Sequence, residues 1–208
     1  MTVWSAIPLE GRVVRLEPLE PRHEEGLWEA SREAETWRWL SVAQPRTRDE
    51  LHAYVAAALA SAAACVELPF VTVRRADGRV VGSTRFLALR PEHRSLEIGW
   101  TWLHPSAWRT GANVDAKLLQ LTDAFERLGC RRVELKTDAR NERSRRAMEA
   151  LPAVFEGIHR KHMLVRDGES RDSAWYSVID DEWPVVKANL ERRLAARGRD
   201  PDDTVVGR

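Results

Sequence analysis

The sequence is short of lysine, tyrosine and cysteine and has almost no net charge, and each shortage narrows what the chain can be. With 33 basic against 32 acidic side chains the formal net charge is +1, so no global field draws the protein onto nucleic acid or a membrane surface. The Ala-rich segment Val55 to Ala64 falls short of the ~18 apolar residues that suggest a membrane span. Met1 to Pro8 lacks the basic start and apolar run of a targeting signal, so a soluble, cytoplasmic protein is expected. Cys65 and Cys130 are far apart, have no companions at metal-ligand spacing and close apolar helical stretches, where small buried residues are ordinary. They argue for a reducing compartment, no disulfide and no bound metal. Lysine occurs only at 117, 136, 161 and 187, and arginine supplies the remaining positive charge, a usage ascribed to coding bias.

What is present is enough for one well-buried domain: 208 residues, 43% apolar. The expected division is a single domain over 1–183, with a C-terminal helix and loose tail over 184–208. Arg12 to Glu17 alternates as a strand, and Pro21 to Arg32 follows as a helix with Leu27 and Trp28 on its inner face. Thr47-Arg48-Asp49-Glu50 has the pattern of a capping box ahead of a long Ala-rich helix toward Cys65. Pro69 to Arg74 and Arg79 to Leu89 are strands joined at Asp77-Gly78, and Leu96 to His104 is a third. Arg132 to Asp138, Val154 to Val165 and Asp172 to Ile179 complete the strands, the last two turning at Asp167-Gly168. Trp183 to Arg197 is a final helix with charges on most faces.

The stretch His104 to Val114 lies between a strand and an amphipathic helix whose apolar residues, Leu118, Leu121, Phe125 and Leu128, recur at spacings of three and four. A loop with one glycine opening into a helix leaves backbone N–H groups pointing at one spot, with the positive helix end behind them. That makes an anion site, most naturally for phosphate. Gly111 lets the backbone approach the anion, although a glycine needed only for turning is the alternative. Asn113 and Asn141 have the chemistry of N-caps.

The His-Pro that closes the strand, the loop leading to Gly111, and Asn141-x-x-Ser144 after the next strand resemble the acetyl-CoA site of the GNAT superfamily of N-acetyltransferases, over roughly Gly11 to Trp183. The resemblance implies an α+β fold, with a central mixed, mostly antiparallel, twisted sheet of about seven strands and helices on both faces. It also implies acetyl-CoA as co-substrate and direct transfer of acetyl to an amine in a ternary complex. The implied coenzyme contacts are Trp102, Leu103, Arg109, Thr110, Gly111, Ala112, Asn113, Asn141 and Ser144, with Arg140, Arg143 and Arg145 candidates for a 3′-phosphate. Within the superfamily, the opening Leu-Glu-Gly-Arg-Val-Val-Arg-Leu-Glu-Pro-Leu and the Asp-Gly turn followed by Arg-Asp-x-x-x-Tyr-Ser resemble the Rim-type ribosomal-protein-alanine N-terminal acetyltransferases. The chain departs from the family pattern at Trp108 and Asn113. Met148 stands where a tyrosine acid is common, and Lys136 where some relatives carry a glutamate base.

Glu97, flanked by apolar neighbours just before the loop, is therefore the leading candidate base, with a structural ion pair as its alternative. His104 is the next candidate, ahead of Glu134, Asp138, His159 and Tyr176. By the resemblance, Trp28, Trp37 and Trp39 line the acceptor pocket, whereas composition alone would place such indoles in a core. A protein N-terminus is the favoured acceptor, with a polyamine, amino acid or antibiotic amine as alternative and a non-catalytic CoA-binding protein as a third reading. Formation of a homodimer is left open.

Overall fold

Short alternating segments can be buried only by pairing with one another, and eight of them form one sheet. The structure, a computed structural model, describes residues 4–166 and 168–197. The strands are β1 (Leu9–Glu10), β2 (Val14–Pro18), β3 (Leu68–Arg74), β4 (Val80–Arg90), β5 (Ser95–Leu103), β6 (Arg132–Asp138), β7 (Val154–Val165) and β8 (Glu169–Ile179). Their spatial order is β1-β2-β3-β4-β5-β6-β8-β7. Only β5 and β6 run parallel; the other neighbours are antiparallel. The expected α+β fold is thus observed, with eight strands among the described residues where about seven were expected. The extra strand, Leu9–Glu10 against Arg15 and Leu16, is too short to show a period in sequence.

Among the described residues six α-helices accompany the sheet: α1 (Glu24–Ala30), α2 (Ala34–Trp37), α3 (Arg48–Ala63), α4 (Ala112–Thr122), α5 (Glu142–Ala150) and α6 (Trp183–Arg197). On one face Leu16, Phe70, Phe86, Ile98 and Leu135 bury against α4 and α6. On the other, α1, α2 and α3 cover only the β3–β5 half, where Val71, Val73 and Trp102 meet Leu27, Trp37 and Leu51. The final helix is less detached than its many charges suggest. Trp183, Val186, Leu190 and Leu194 form a buried stripe, and Trp183 stacks on Phe125 at 5.2 Å. The expected loose tail beyond Arg197 lies outside the described residues. Among the described residues no helix is long and apolar enough to cross a membrane.

Local signals mostly act as their chemistry dictates. Thr47 caps α3, its Oγ1 accepting from the Glu50 amide at 3.2 Å, but the Glu50 carboxylate takes the Arg46 amide, so the reciprocal half of the box is displaced by one residue. Gly78, at φ +71°, turns the β3–β4 hairpin beside Asp77. Asp167 of the second expected turn lies outside the described residues. Cys130 is buried as expected, whereas Cys65, beyond the end of α3 at φ 57°, is exposed. Asp115, 1% exposed on α4, accepts from the amides of Val13 and Val14 at 2.6 and 3.0 Å and so ties the first turn of α4 to the start of β2.

Candidate functional site

The parallel seam of the sheet is where an opening forms. Ser95–Glu97 pair with Arg132–Glu134, and beyond that point no pairing joins β5 to β6. The cause lies in β5. Ser83 faces Trp102 and Arg85 faces Gly99, so Trp100 and Thr101 share the single opposite residue Thr84, and Trp100 takes φ 51°. Such a bulge bends its strand and re-aims the side chains on either side of it. The regular alternation expected over Leu96 to Leu103 is therefore broken at Trp100.

The loop after β5 is built from its own polar groups. His104 Nδ1 accepts from the Ser106 amide at 3.1 Å, and the Thr110 hydroxyl donates to the Ala107 carbonyl at 2.8 Å. Gly111 caps α4 at φ 96°, in place of the expected Asn113, which lies inside the first turn. The amides of Thr110, Gly111, Asn113 and Val114 meet no acceptor among the described residues, giving the cluster of donors at a helix start that suits an anion. Trp108 lies between two partners: its indole donates to the Leu103 carbonyl at 2.8 Å, and the Arg143 guanidinium lies 4.0 Å from its ring centroid. Asn141 caps α5, accepting from the Ser144 amide at 3.1 Å and donating to Thr137.

Glu97 lies at the seam, 2% exposed, its carboxylate 2.6 Å from the Lys136 ammonium. Burial raises its pKa above the ordinary carboxylate value although Lys136 pulls the other way. Lys136 also lies 4.9 Å from the Trp175 ring centroid. Behind the bulge, Lys117 of α4 is buried, and among the described residues its ammonium has no carboxylate partner and reaches only Thr101 Oγ1 at 3.0 Å and Gln120 Oε1 at 3.1 Å. Burial lowers its pKa to about 7.

The sequence model of the acetyltransferase (GNAT) domain matches residues 14–153. The chain belongs to this family. A GCN5-related N-acetyltransferase from Brucella melitensis has the same fold with a TM-score of 0.89 at 34% identity, over 97% of this chain and 91% of that one. A T. thermophilus protein assigned as an acetyltransferase superposes with a TM-score of 0.83 at 41% identity, over 92% of this chain and 99% of that one. The Bacillus subtilis (strain 168) N-acetyltransferase YoaA, itself uncharacterized, is 29% identical over 106 residues, which span 51% of this chain and 59% of YoaA. GNAT domains use acetyl-CoA, and the four unpaired amides at the start of α4 fit its diphosphate.

The residues expected at the site divide in the structure. Gly111, Ala112 and Asn113 lie at the anion-facing start of α4, with Arg109, at φ 64°, just before it. The Thr110 hydroxyl is engaged within the loop, so only its amide is offered. Trp102 and Leu103 turn their side chains into the two cores, leaving only their backbone to line the seam. Of the three arginines, Arg140 holds Asp138 and Glu169 and Arg145 bonds Tyr176, while Arg143 lies exposed over the Trp108 ring. His104 is engaged in the turn, its Nδ1 accepting from the Ser106 amide. Trp28 and Trp37 are core side chains. Trp37, 2% exposed, packs on Trp102 at 5.0 Å, and Trp28, 8% exposed, packs in the same cluster with the Arg32 and Arg48 guanidinium groups over its ring. Trp39, between Arg38 and Arg140, remains on the open side.

Gly111 gives the direct test of coenzyme binding. Proline cannot adopt φ 96° and removes an amide, so Gly111→Pro is expected to weaken CoA binding by about 10- to 100-fold, the value of one or two charge-assisted hydrogen bonds. Gly111→Ala keeps the amide and strains the turn, and Arg109→Ala should be milder than either. Calorimetry with CoA on variants with unaltered far-UV spectra decides this, and unchanged affinity in Gly111→Pro would remove the loop from the site.

Proposed function

We propose that the protein transfers the acetyl group of acetyl-CoA to a free α-amine, the N-terminus of a protein and most closely of a ribosomal protein. Acetyl-CoA supplies the activated thioester. The amine nitrogen attacks the thioester carbonyl carbon, the carbon–sulfur bond breaks, and the leaving thiolate takes a proton from solvent. Glu97 receives the proton that the amine gives up, its burial raising its affinity for that proton. An α-amine, with an ordinary pKa of about 7.7 to 8.0 against about 10.4 for lysine, is already partly neutral near pH 7.5. It therefore asks little of a base restrained by Lys136.

The observation that carries this choice of amine is the charge balance on the open half of the sheet. Glu97, Glu134, Asp138 and Glu156 each already hold a cation, namely Lys136, Arg90, Arg140 and Arg132. A desolvated polyamine needs several free carboxylates, and Glu33, Glu35 and Asp49 are exposed to solvent instead of facing the seam. Peptides starting with Ala or Ser are therefore expected to exceed spermidine in kcat/KM by about tenfold or more, which is ~1.4 kcal/mol of transition-state preference. Thiol release from acetyl-CoA measures this. A tenfold advantage for spermidine would replace the N-terminal reading with the small-amine one.

A further inference from the structure

The Arg-Asp-x-x-x-Tyr-Ser segment begins with a residue that neither the fold nor the proposed chemistry uses. Arg171 is 7% exposed on β8, yet its Nε is sealed from solvent and meets no acceptor, and its guanidinium makes no hydrogen bond or ion pair among the described residues. A guanidinium buried to this degree with its Nε unpaired is costly, because that donor has lost water without gaining an acceptor. The nearby carboxylates favour its charge through space, but among the described residues none bonds it. Glu97 is held by Lys136, Asp138 by Arg140, and Glu169 by Arg140 and Arg166. Arg171 interacts through space with both Glu97, the candidate base, and Asp138.

A second group on the same strand points the same way. Trp175, two positions beyond Ser173, has a buried indole Nε1 that also lacks a partner. Between them His162 bonds Ser173 at 3.0 Å, and burial together with the Lys136, His159 and Arg171 charges holds its pKa below the ordinary value. This patch thus offers two buried donors without acceptors, Arg171 Nε and Trp175 Nε1, on the half of the sheet that α1–α3 leave uncovered.

We propose that Arg171 is the anion-binding residue of the acceptor site, so that the preferred acceptor carries a carboxylate close to its reactive amine. The guanidinium fork suits a carboxylate in two-point contact, and Trp175 Nε1 is the supplementary donor. This rests on the amine-acetylation reading, and two sources of the same chemistry fit it: the α-carboxylate of a free amino acid, or an acidic second residue of a peptide.

The test compares acceptors that differ only in that charge, in wild type, Arg171→Gln and Arg171→Lys. Alanine is set against alaninamide, and an Ala-Asp peptide amide against its Ala-Asn counterpart, by thiol release. In parallel, calorimetry in the presence of CoA compares N-acetylalanine with N-acetylalaninamide, which needs no turnover. In wild type the charged member of at least one pair is expected to win by tenfold or more in kcat/KM. The pair that responds identifies the source, and the product responds in calorimetry if that source is the amino acid. Arg171→Gln should abolish the preference, Arg171→Lys should restore part of it, and neither should alter CoA affinity. Equal treatment of both members of every pair by wild type overturns the proposal, as does a preference that survives in Arg171→Gln. A calorimetric preference without turnover of any amine would leave the anion site standing and remove the transferase reading instead.

Discussion

Glu97→Gln is expected to lower kcat by about 10²- to 10⁴-fold, the usual contribution of a general base, with little change in acetyl-CoA affinity. The argument rests on position. A carboxylate 2% exposed, at the point where the β5–β6 pairing ends, can meet an amine only from the opening itself. Glutamine keeps the shape and removes the proton acceptor. The wild-type rate should rise with pH until the acceptor amine is largely neutral, and the variant should lose activity across that range. Lys136 complicates the substitution, because it loses its carboxylate at 2.6 Å and the fold loses an ion pair. A thermal melt and CoA calorimetry on the variant separate the two effects. Full activity in a folded Glu97→Gln protein would reduce Glu97 to that ion pair and send the search to a water-relayed base.

Lys117→Met is expected to make the protein more stable at neutral pH and to flatten its stability profile above pH 7. The folded pKa is about 7 against an ordinary 10.5, so burial disfavours the charged form by roughly 5 kcal/mol at 1.36 kcal/mol per pH unit. Below pH 7 both folded and unfolded chains carry the proton, and the folded state bears the whole cost. Between pH 7 and 10.5 the unfolded chain holds a proton that the folded one has released, so stability rises with pH. Above 10.5 the cost is absent. Methionine removes the charge and fills similar space, while Thr84 still bonds both Thr101 and Gln120. A gain of about 1–4 kcal/mol near pH 7, or several degrees in Tm, is the expected result of denaturation at pH 6, 7, 8 and 9. A variant less stable than wild type at pH 6 would mean that Thr101 and Gln120 compensate the ammonium.

The fold was legible because alternation and capping chemistry are local. Arg132 to Asp138 and Val154 to Val165 are strands over the expected spans, and Thr47 and Asn141 cap their helices. The opening at the seam was not legible, since it depends on a bulge at Trp100, an ordinary apolar residue in an unbroken alternating run. Burial of charge was equally hidden. Lys117 occupies the inward stripe of α4 between Val114 and Leu121, and that spacing was the available signal. Lysine use in this arginine-rich chain, ascribed above to coding bias, has a second side. Two of its four lysines, Lys117 and Lys136, lie against buried polar groups, and at Lys117, whose pKa burial lowers, a lysine behaves differently from an arginine. For the indoles, composition favoured a core and the family pattern favoured a pocket. Trp28 and Trp37 follow composition because α1 and α3 close over them.

The β7–β8 hairpin reaches back across the molecule through one residue. Arg166 donates from its backbone amide to the Ser41 carbonyl at 2.9 Å, and from its side chain to the carbonyls of Arg38 and Leu40 at 2.5 and 3.0 Å. All three acceptors belong to the main chain. The clasp is therefore blind to the side chains at 38–41, and a substitution there changes what the loop presents without changing where it is held. Trp39 and its neighbours can drift toward a new acceptor while the rim of the site stays in register, so recognition at this edge can diverge without loss of the fold.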